Sequence, residues 1–548
     1  MLAAIVNSLS RHQIDTSEDD TVSTATRDRG TGTAVPLSDS TLPLSTHARS
    51  NVGRPLATAP RFDARTRLLL DGPIITTLLR LAVPNVLVML VQTSVGLIET
   101  YFVARLGTDA LAGVALVFPV LMLMQMMSAG AMGGGISSAI ARTLGAGRRD
   151  DADALVFHAL AIAVGFGFVF MVVVRGGGHW LYSAMGGTGA SLTAALTYSD
   201  MVFAGAILVW TFNSLASVIR GTGNMAVPAI VTCAGAVALI PLSPCLISGW
   251  GPFPEFGIAG GAVAVIAYYA AGTIVFATYL WAGPSVVRLS FRNAHLRWSL
   301  FREILRVGAV AALITIQTNL TIAIATGLVG WFGPAAIAGY GAGSRLEYLL
   351  VPLVFGLGAP LVAMVGTNIG AGQRDRALRA AWIGAGLATG LTEMIGLWAA
   401  AFPHAWLSLF GADPAMVDSG SRYLRTVGPC YGFFGLGLAL YFASVGAGRL
   451  LWPLLANLMR LAIAAVGGWL ALGWSGDLSH VFLALSAALA VFGLMNAAAV
   501  AGGAWLGPVG WLRMPAALLL STDNAKYKQR NKDGPPDGSA LRRSNAPS

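Results

Sequence analysis

Three features of the 548-residue chain predict an all-α polytopic membrane protein, with about twelve transmembrane helices in two parallel six-helix repeats around a central cleft. Hydrophobic residues make up 55% of it and charged residues 11%, and the mean hydropathy is +0.68. Such a composition cannot be packed as one soluble core and belongs in lipid. Apolar segments of about 20 residues, enough to cross the hydrocarbon at 1.5 Å rise per residue, recur along the chain. Short motifs also return at a constant interval, which marks an internal duplication.

The first 70 or so residues are rich in Ser, Thr, Asp and Arg and lack periodic apolar character, so residues 1–70 are expected to be a disordered tail. The opening MLAAIV is too short for a signal-peptide core and no basic region precedes it. Twelve apolar segments follow, near 78–104, 111–131, 154–175, 197–219, 226–248, 257–282, 305–330, 337–365, 380–402, 421–444, 451–473 and 480–506. They divide into a first bundle over 71–282, a basic linker over 283–303 and a second bundle over 304–507. A polar, basic tail over 508–548 closes the chain.

Arginines gather in alternate loops: Arg142, Arg148 and Arg149, then Arg220, then Arg288, Arg292, Arg297 and Arg302, then Arg374, Arg376 and Arg379, then Arg449. The other loops are poor in basic residues, with Arg175, Arg422 and Arg425 as exceptions. The positive-inside rule therefore puts these loops and both termini in the cytoplasm of a plasma (inner) membrane protein. The net charge of +10 is an orientation signal by this reading and gives no reason to expect nucleic acid. Cys233, Cys245 and Cys430 form no CxxC or His-rich spacing, so neither a disulfide framework nor a metal site is expected. No cofactor is expected either.

The duplication is read from three motif pairs. LGTDALAG from Leu106 returns as FGPAAIAG from Phe332, LGAGRRDDA from Leu144 as IGAGQRDRA from Ile369, and the GTG at Gly221 with Pro228 as the GAG at Gly446 with Pro453. A unit of six spans is even, so both copies keep one orientation and are related by an axis along the membrane normal, with a cleft between them. GAGRRD has no following Lys-Ser/Thr and no preceding strand, which argues against a phosphate loop. Its glycines are expected to end the second and eighth helices.

The first span holds one acid, Glu99, about 8 residues or roughly 12 Å of helix below the turn at Gly107. A carboxylate at that depth is costly and is commonly functional. An acid paired with a basic residue to pin helices is the alternative. Gln92 lies one heptad earlier on nearly the same face, and Pro84 allows a bend.

The segments GPIITTLLRLAVPNVLVMLVQT, LIETYFVARLGTDALAGVA, IARTLGAGRRDDA, RGTGNMAVP and AIAGYGAGSRLEYLLVPLVFGLGAPLVAMVGTNIGAGQRDRA resemble those of the multidrug and toxic-compound extrusion (MATE) transporters. The resemblance runs from Gly72 to about Leu506. It implies twelve helices in two bundles, alternating access, and export of organic compounds against inward flow of H⁺ or Na⁺. It also implies an ion-coupling role for Glu99, where the family commonly carries an Asp. Further acids found in branches of the family are absent: those neighbourhoods read Thr318-Asn319, Phe433-Phe434 and Ser243-Pro244.

Aligning the halves pairs Glu99 with Ala325, so the acid is not duplicated, while Gln317-Thr318 echo Gln92-Thr93. Arg345 and Glu347 fall about 12 and 14 residues past Gly333, at a depth similar to Glu99. Each is a candidate for the cleft or for an interhelical pair. Asn213 and Asn319 are expected to hydrogen-bond between helices, and Tyr431 is among the aromatics that could stack on cationic drugs.

The function read from these residues is secondary active export of amphipathic, cationic organic compounds in antiport with H⁺ or Na⁺, by a monomer and without enzymatic chemistry. H⁺ is favoured because a single carboxylate suffices for it. A lipid-linked saccharide flippase is the alternative within transport. A membrane-embedded transferase would need a catalytic cluster that the scattered His158, His179, His404 and His480 do not form.

Overall fold

Each of the twelve apolar segments folds as a helix. The computed structural model describes residues 62–505 apart from 251–252, 284, 290–294 and 475, and describes only the backbone of 92–101, 104 and 348. Both tails fall almost wholly outside the described residues, as does part of the linker. No strand occurs among the described residues.

We number the spans α1 (Ile74–Ala104), α2 (Thr108–Gly145), α3 (Arg149–Ala184), α4 (Gly189–Ala204 and Ala206–Gly221), α5 (Ala226–Ser248), α6 (Ile258–Ala282), α7 (Trp298–Gly330), α8 (Pro334–Gly370), α9 (Arg374–Ala401), α10 (Pro414–Ala447), α11 (Leu451–Trp474) and α12 (Leu478–Ala501). α4 bends by 48° at Gly205, where an added Cβ would meet the Ile266 side chain at 2.7 Å. α2 passes through a π-helical turn at Met126–Met132 and α11 through another at Ile463–Gly467. Each interrupts the i→i−4 ladder of an otherwise α-helical span. α3 and α8 have 36 and 37 residues, about 55 Å of helix, so they outrun the hydrocarbon at one or both ends. At the start of α12 the Asp477 carboxylate caps the helix by accepting from Ser479 N at 3.0 Å. That bond holds the carboxyl below the usual carboxylate range, helped by His480 and Arg422.

The turns are repeat-related as well. Gly107 and Gly333 (φ 112° and 94°), Gly147 and Gly372 (74° and 76°), and Gly223 and Gly448 (81° and 69°) adopt the same positive φ in both copies. Only glycine takes these conformations without steric cost, so the motif repetition records a repeated backbone. The two six-helix halves are parallel copies. We call the end carrying the Gly147, Gly223, Gly372 and Gly448 turns the basic end.

The halves meet near the basic end. Leu69, Ile74, Leu78 and Ala82 share one buried cluster with Val354, Leu357, Leu361 and Val365 of α8. Ala131 shares another with Val307, Ala311 and Ile314 of α7 and with Val362 and Val445. A third cluster, around Leu346, Tyr423, Tyr431, Phe434 and Phe482, lies wholly inside the second half.

Candidate functional site

Glycine governs how closely the halves approach at the basic end. A Cβ on Gly145 would lie 2.0 Å from the Thr367 carbonyl oxygen, and a Cβ on Gly370 would lie 2.0 Å from the Arg142 carbonyl oxygen. Gly145 and Gly370 occupy equivalent repeat positions, as do Arg142 and Thr367, so this is an isologous contact about the pseudo-twofold axis. Within each half the pattern recurs: a Cβ on Gly221 would meet Ser137 O at 2.8 Å and one on Gly446 would meet Val362 O at 2.7 Å.

Arg142 fastens the contact. Its guanidinium donates to Ser138 Oγ, to Gly446 O at 3.3 Å and to Glu303 Oε1 at 3.4 Å. Ser138 Oγ donates in turn to Val445 O. One first-half side chain thus binds the α10 terminus and the start of α7. Farther up, Asn85, one residue past Pro84, donates from α1 to Phe355 O and Gly356 O of α8 at 3.3 and 3.4 Å. The linker is strapped to α3: Arg297 pairs with Asp151 at 2.7 Å, its backbone N donates to His158 Nε2 at 2.8 Å, and Arg288 N donates to Asp153 Oδ1 at 2.7 Å.

The interior of the first half carries a neutral polar network beside the π-turn of α2. Asn213 Nδ2 donates to Gln125 Oε1 at 3.1 Å and to Ser128 Oγ at 2.9 Å, while Gln125 Nε2 donates to Tyr269 Oη. Phe212 packs its edge toward Tyr269 at 5.2 Å between centroids, beside Tyr268 and Phe276. Amides and a phenol on three helices offer hydrogen bonds without a fixed charge.

In the second half the interior is charged. Glu347 Oε1 on α8 accepts from Tyr423 Oη on α10. Arg460 on α11 is 7% exposed and sits with Cζ 5.7 Å from the Phe434 ring centre and 5.5 Å from that of Phe492. Glu347 is the acid that balances its charge, from beyond ion-pair distance, with no contact within 4 Å between them. Tyr340 and Phe482 complete an edge-to-face aromatic group around Tyr423.

The residues singled out by sequence distribute unevenly over these sites. Glu99 and Gln92 lie in α1, with side chains outside the described residues. Asn213 does bond between helices. Asn319 instead is exposed and donates to Thr315 O of its own helix at 2.8 Å, one turn back. Thr318 likewise spends its hydroxyl on Ile314 O at 2.9 Å. Gln317 is half-buried, and its Oε1 has no partner among the described residues. Arg345 and Glu347 face different ways, as their spacing implied: Arg345 is exposed and stacks over Phe410 at 5.2 Å, whereas Glu347 points to Tyr423. Tyr431 is fully buried in the second-half core, so its ring packs between helices and not on an open surface. Sequence reasoning left out Asn85, Gln125 and Arg460 as site residues. An ionisable residue nine positions inside the eleventh span was a signal that could have found Arg460. Among the described residues no three His, Cys, Asp or Glu side chains converge.

The family model MatE matches residues 84–245 and 311–470, one block in each half. A FAD transporter of Shewanella oneidensis is 27% identical over 416 residues, covering 73% of this chain and 90% of that protein. The probable multidrug resistance protein NorM of Thermotoga maritima is 24% identical over 458 residues, 83% of this chain and 93% of that one. Among solved structures, the outward-facing conformation of a multidrug resistance MATE family transporter of the MOP superfamily superposes with a TM-score of 0.73 at 21% identity. It covers 81% of this chain and 99% of its own. A MOP superfamily transporter from Pyrococcus furiosus gives the same score and coverage at 22%. These likenesses establish the shared two-bundle fold.

Proposed function

Because the chain belongs to the MatE family, we propose that it is a secondary active exporter, moving amphipathic organic compounds, cationic ones foremost, out of the cell in exchange for H⁺. The observation that carries the reading is the reciprocal packing of two repeat-related bundles at the basic end. Rocking about such a contact exposes a cleft between the bundles alternately to the two sides. The basic end is cytoplasmic in this reading, with both termini inside and one chain as the transport unit. Single cysteines at Gly147 and Gln373 should then be labelled from the cytoplasm, and those at Thr108 and Pro334 from outside.

Glu99 is the coupling residue in this proposal. It is the acid of the first span and its repeat equivalent is Ala325, so one carboxylate serves both as the attraction for a cation and as the proton acceptor. Protonation from outside removes that attraction and releases the substrate. Purified protein in liposomes tests it: efflux of a fluorescent cation should follow an imposed pH gradient in the absence of sodium. Transport that needs a sodium gradient and ignores pH would refute the proton.

A second substrate reading is favoured by one observation, the 27% identity with a FAD transporter across most of that protein. It has this chain exporting flavin nucleotides. Comparing cells with and without the protein separates the two: retained ethidium falls on expression in the first case, and extracellular flavin nucleotide rises in the second.

A further inference from the structure

Among the described residues, Arg460 is the guanidinium placed deep in the second-half interior whose contacts do not account for it. It stands nine residues into α11 from Leu451, about 14 Å of helix from the basic end, which is too deep for a lipid headgroup to reach. The rings of Phe434 on α10 and Phe492 on α12 hold it from two helices. A guanidinium over two rings gains cation–π attraction, but the rings accept none of its N–H groups in the manner of an oxygen, so those donors still call for acceptors.

Among the described residues those donors have no hydrogen-bond acceptor and no ion pair. Glu347 balances the charge from beyond contact distance, and its Oε1 is taken by Tyr423. A buried arginine that merely pinned helices would be expected to close a forked pair with a carboxylate, because a desolvated charged donor left unmatched is costly. Leucine or methionine would fill the same aromatic slot without that cost.

We propose that Arg460 is a substrate-binding residue for an oxyanion, a carboxylate or phosphate monoester carried by an amphipathic compound. The planar fork matches both groups bidentately. The proposal rests on the exporter reading and extends its substrate class from cations to zwitterions and organic anions. Glu99 and Arg460 then give the two halves opposite ligand preferences.

One fluorophore in three charge states tests it: dansylglycine (carboxylate), dansylamide (neutral) and dansylcadaverine (cation). Binding is measured by dansyl fluorescence on purified full-length protein in detergent free of acidic lipid, and again in liposomes. Wild type should bind dansylglycine at least tenfold more tightly than dansylamide. Arg460→Met should erase that preference while leaving dansylamide and dansylcadaverine within twofold. Arg460→Lys, which keeps the charge and loses the fork, should retain part of the preference and guards against a Met variant that fails to fold. Equal affinity of the wild type for dansylglycine and dansylamide, with dansylcadaverine efflux intact, overturns the Arg460 site alone. A wild type that neither binds nor transports any of the three overturns the exporter reading and the site together.

Discussion

The two halves of this molecule share their backbone joints and differ in their chemistry. At the basic end a Cβ added to Gly145 or Gly370 would meet a carbonyl oxygen of the other half at the same 2.0 Å, and one added to Gly221 or Gly446 would meet a carbonyl of its own half at 2.8 or 2.7 Å. In the interiors the resemblance stops. The first half holds an uncharged network of Gln125, Asn213, Ser128 and Tyr269. The second holds Glu347, Tyr423 and an aromatic-clasped Arg460. A duplicated scaffold tolerates divergence where side chains have room, as in the interiors and at Arg142, whose repeat equivalent is Thr367. Where backbone meets backbone, any Cβ is excluded, and the glycines persist in both copies.

The comparison is most sharply broken at Glu99, whose repeat partner is Ala325. Glu99→Gln should abolish efflux in a protein that remains expressed and folded, and Glu99→Asp should keep part of it. Full activity in a well-expressed Glu99→Gln protein would demote the residue to packing. Next in size comes the second-half charge cluster. Glu347→Ala strips Tyr423 of its acceptor and Arg460 of its balancing charge, and should cost about 3 kcal/mol of stability, read from denaturation in detergent. A loss no larger than that of a surface substitution would show that the cluster is not coupled as described.

The shared joint gives a paired test. Gly145→Val and Gly370→Val should each destabilise by about 1–3 kcal/mol or more, since each drives a side chain into a carbonyl across the interface. Their effects should agree within error. A large effect from one and none from the other would contradict the isologous contact. Asn213→Leu should cost about 1–2 kcal/mol, the loss of one buried and one part-buried hydrogen bond without a charge, and so less than Glu347→Ala. Smallest of all is Asn319→Ala, expected within about 0.5 kcal/mol because the side chain is exposed and bonds only to its own helix. A marked loss of transport there would mean that Asn319 meets substrate despite its local bond.

Much of this was open to reading in the chain. The apolar runs announced the spans because a bilayer demands a minimum helix length, and LGAG, IGAG, GTG and GAG announced the turns because positive φ demands glycine. Even the opposite orientation of Arg345 and Glu347 followed from helical spacing. Boundaries fell short at α3, α7 and α8, where polar or basic helical turns extend beyond the apolar segment and hydropathy gives no signal for them.

The sequence by itself determined the number of spans, the duplication and the presence of an acid in the first span, since periodicity, length and turn chemistry are local properties. Only the tertiary structure decided which polar residues matter together. Glu347 meets Tyr423 from 76 residues away, Arg142 meets Gly446 across 304, and Arg460 is clasped by rings from two other helices. Asn319, equally polar on paper, turns back on its own helix. Helix rotation and crossing set these partners through packing along entire interfaces, so no single stretch of chain carries the information.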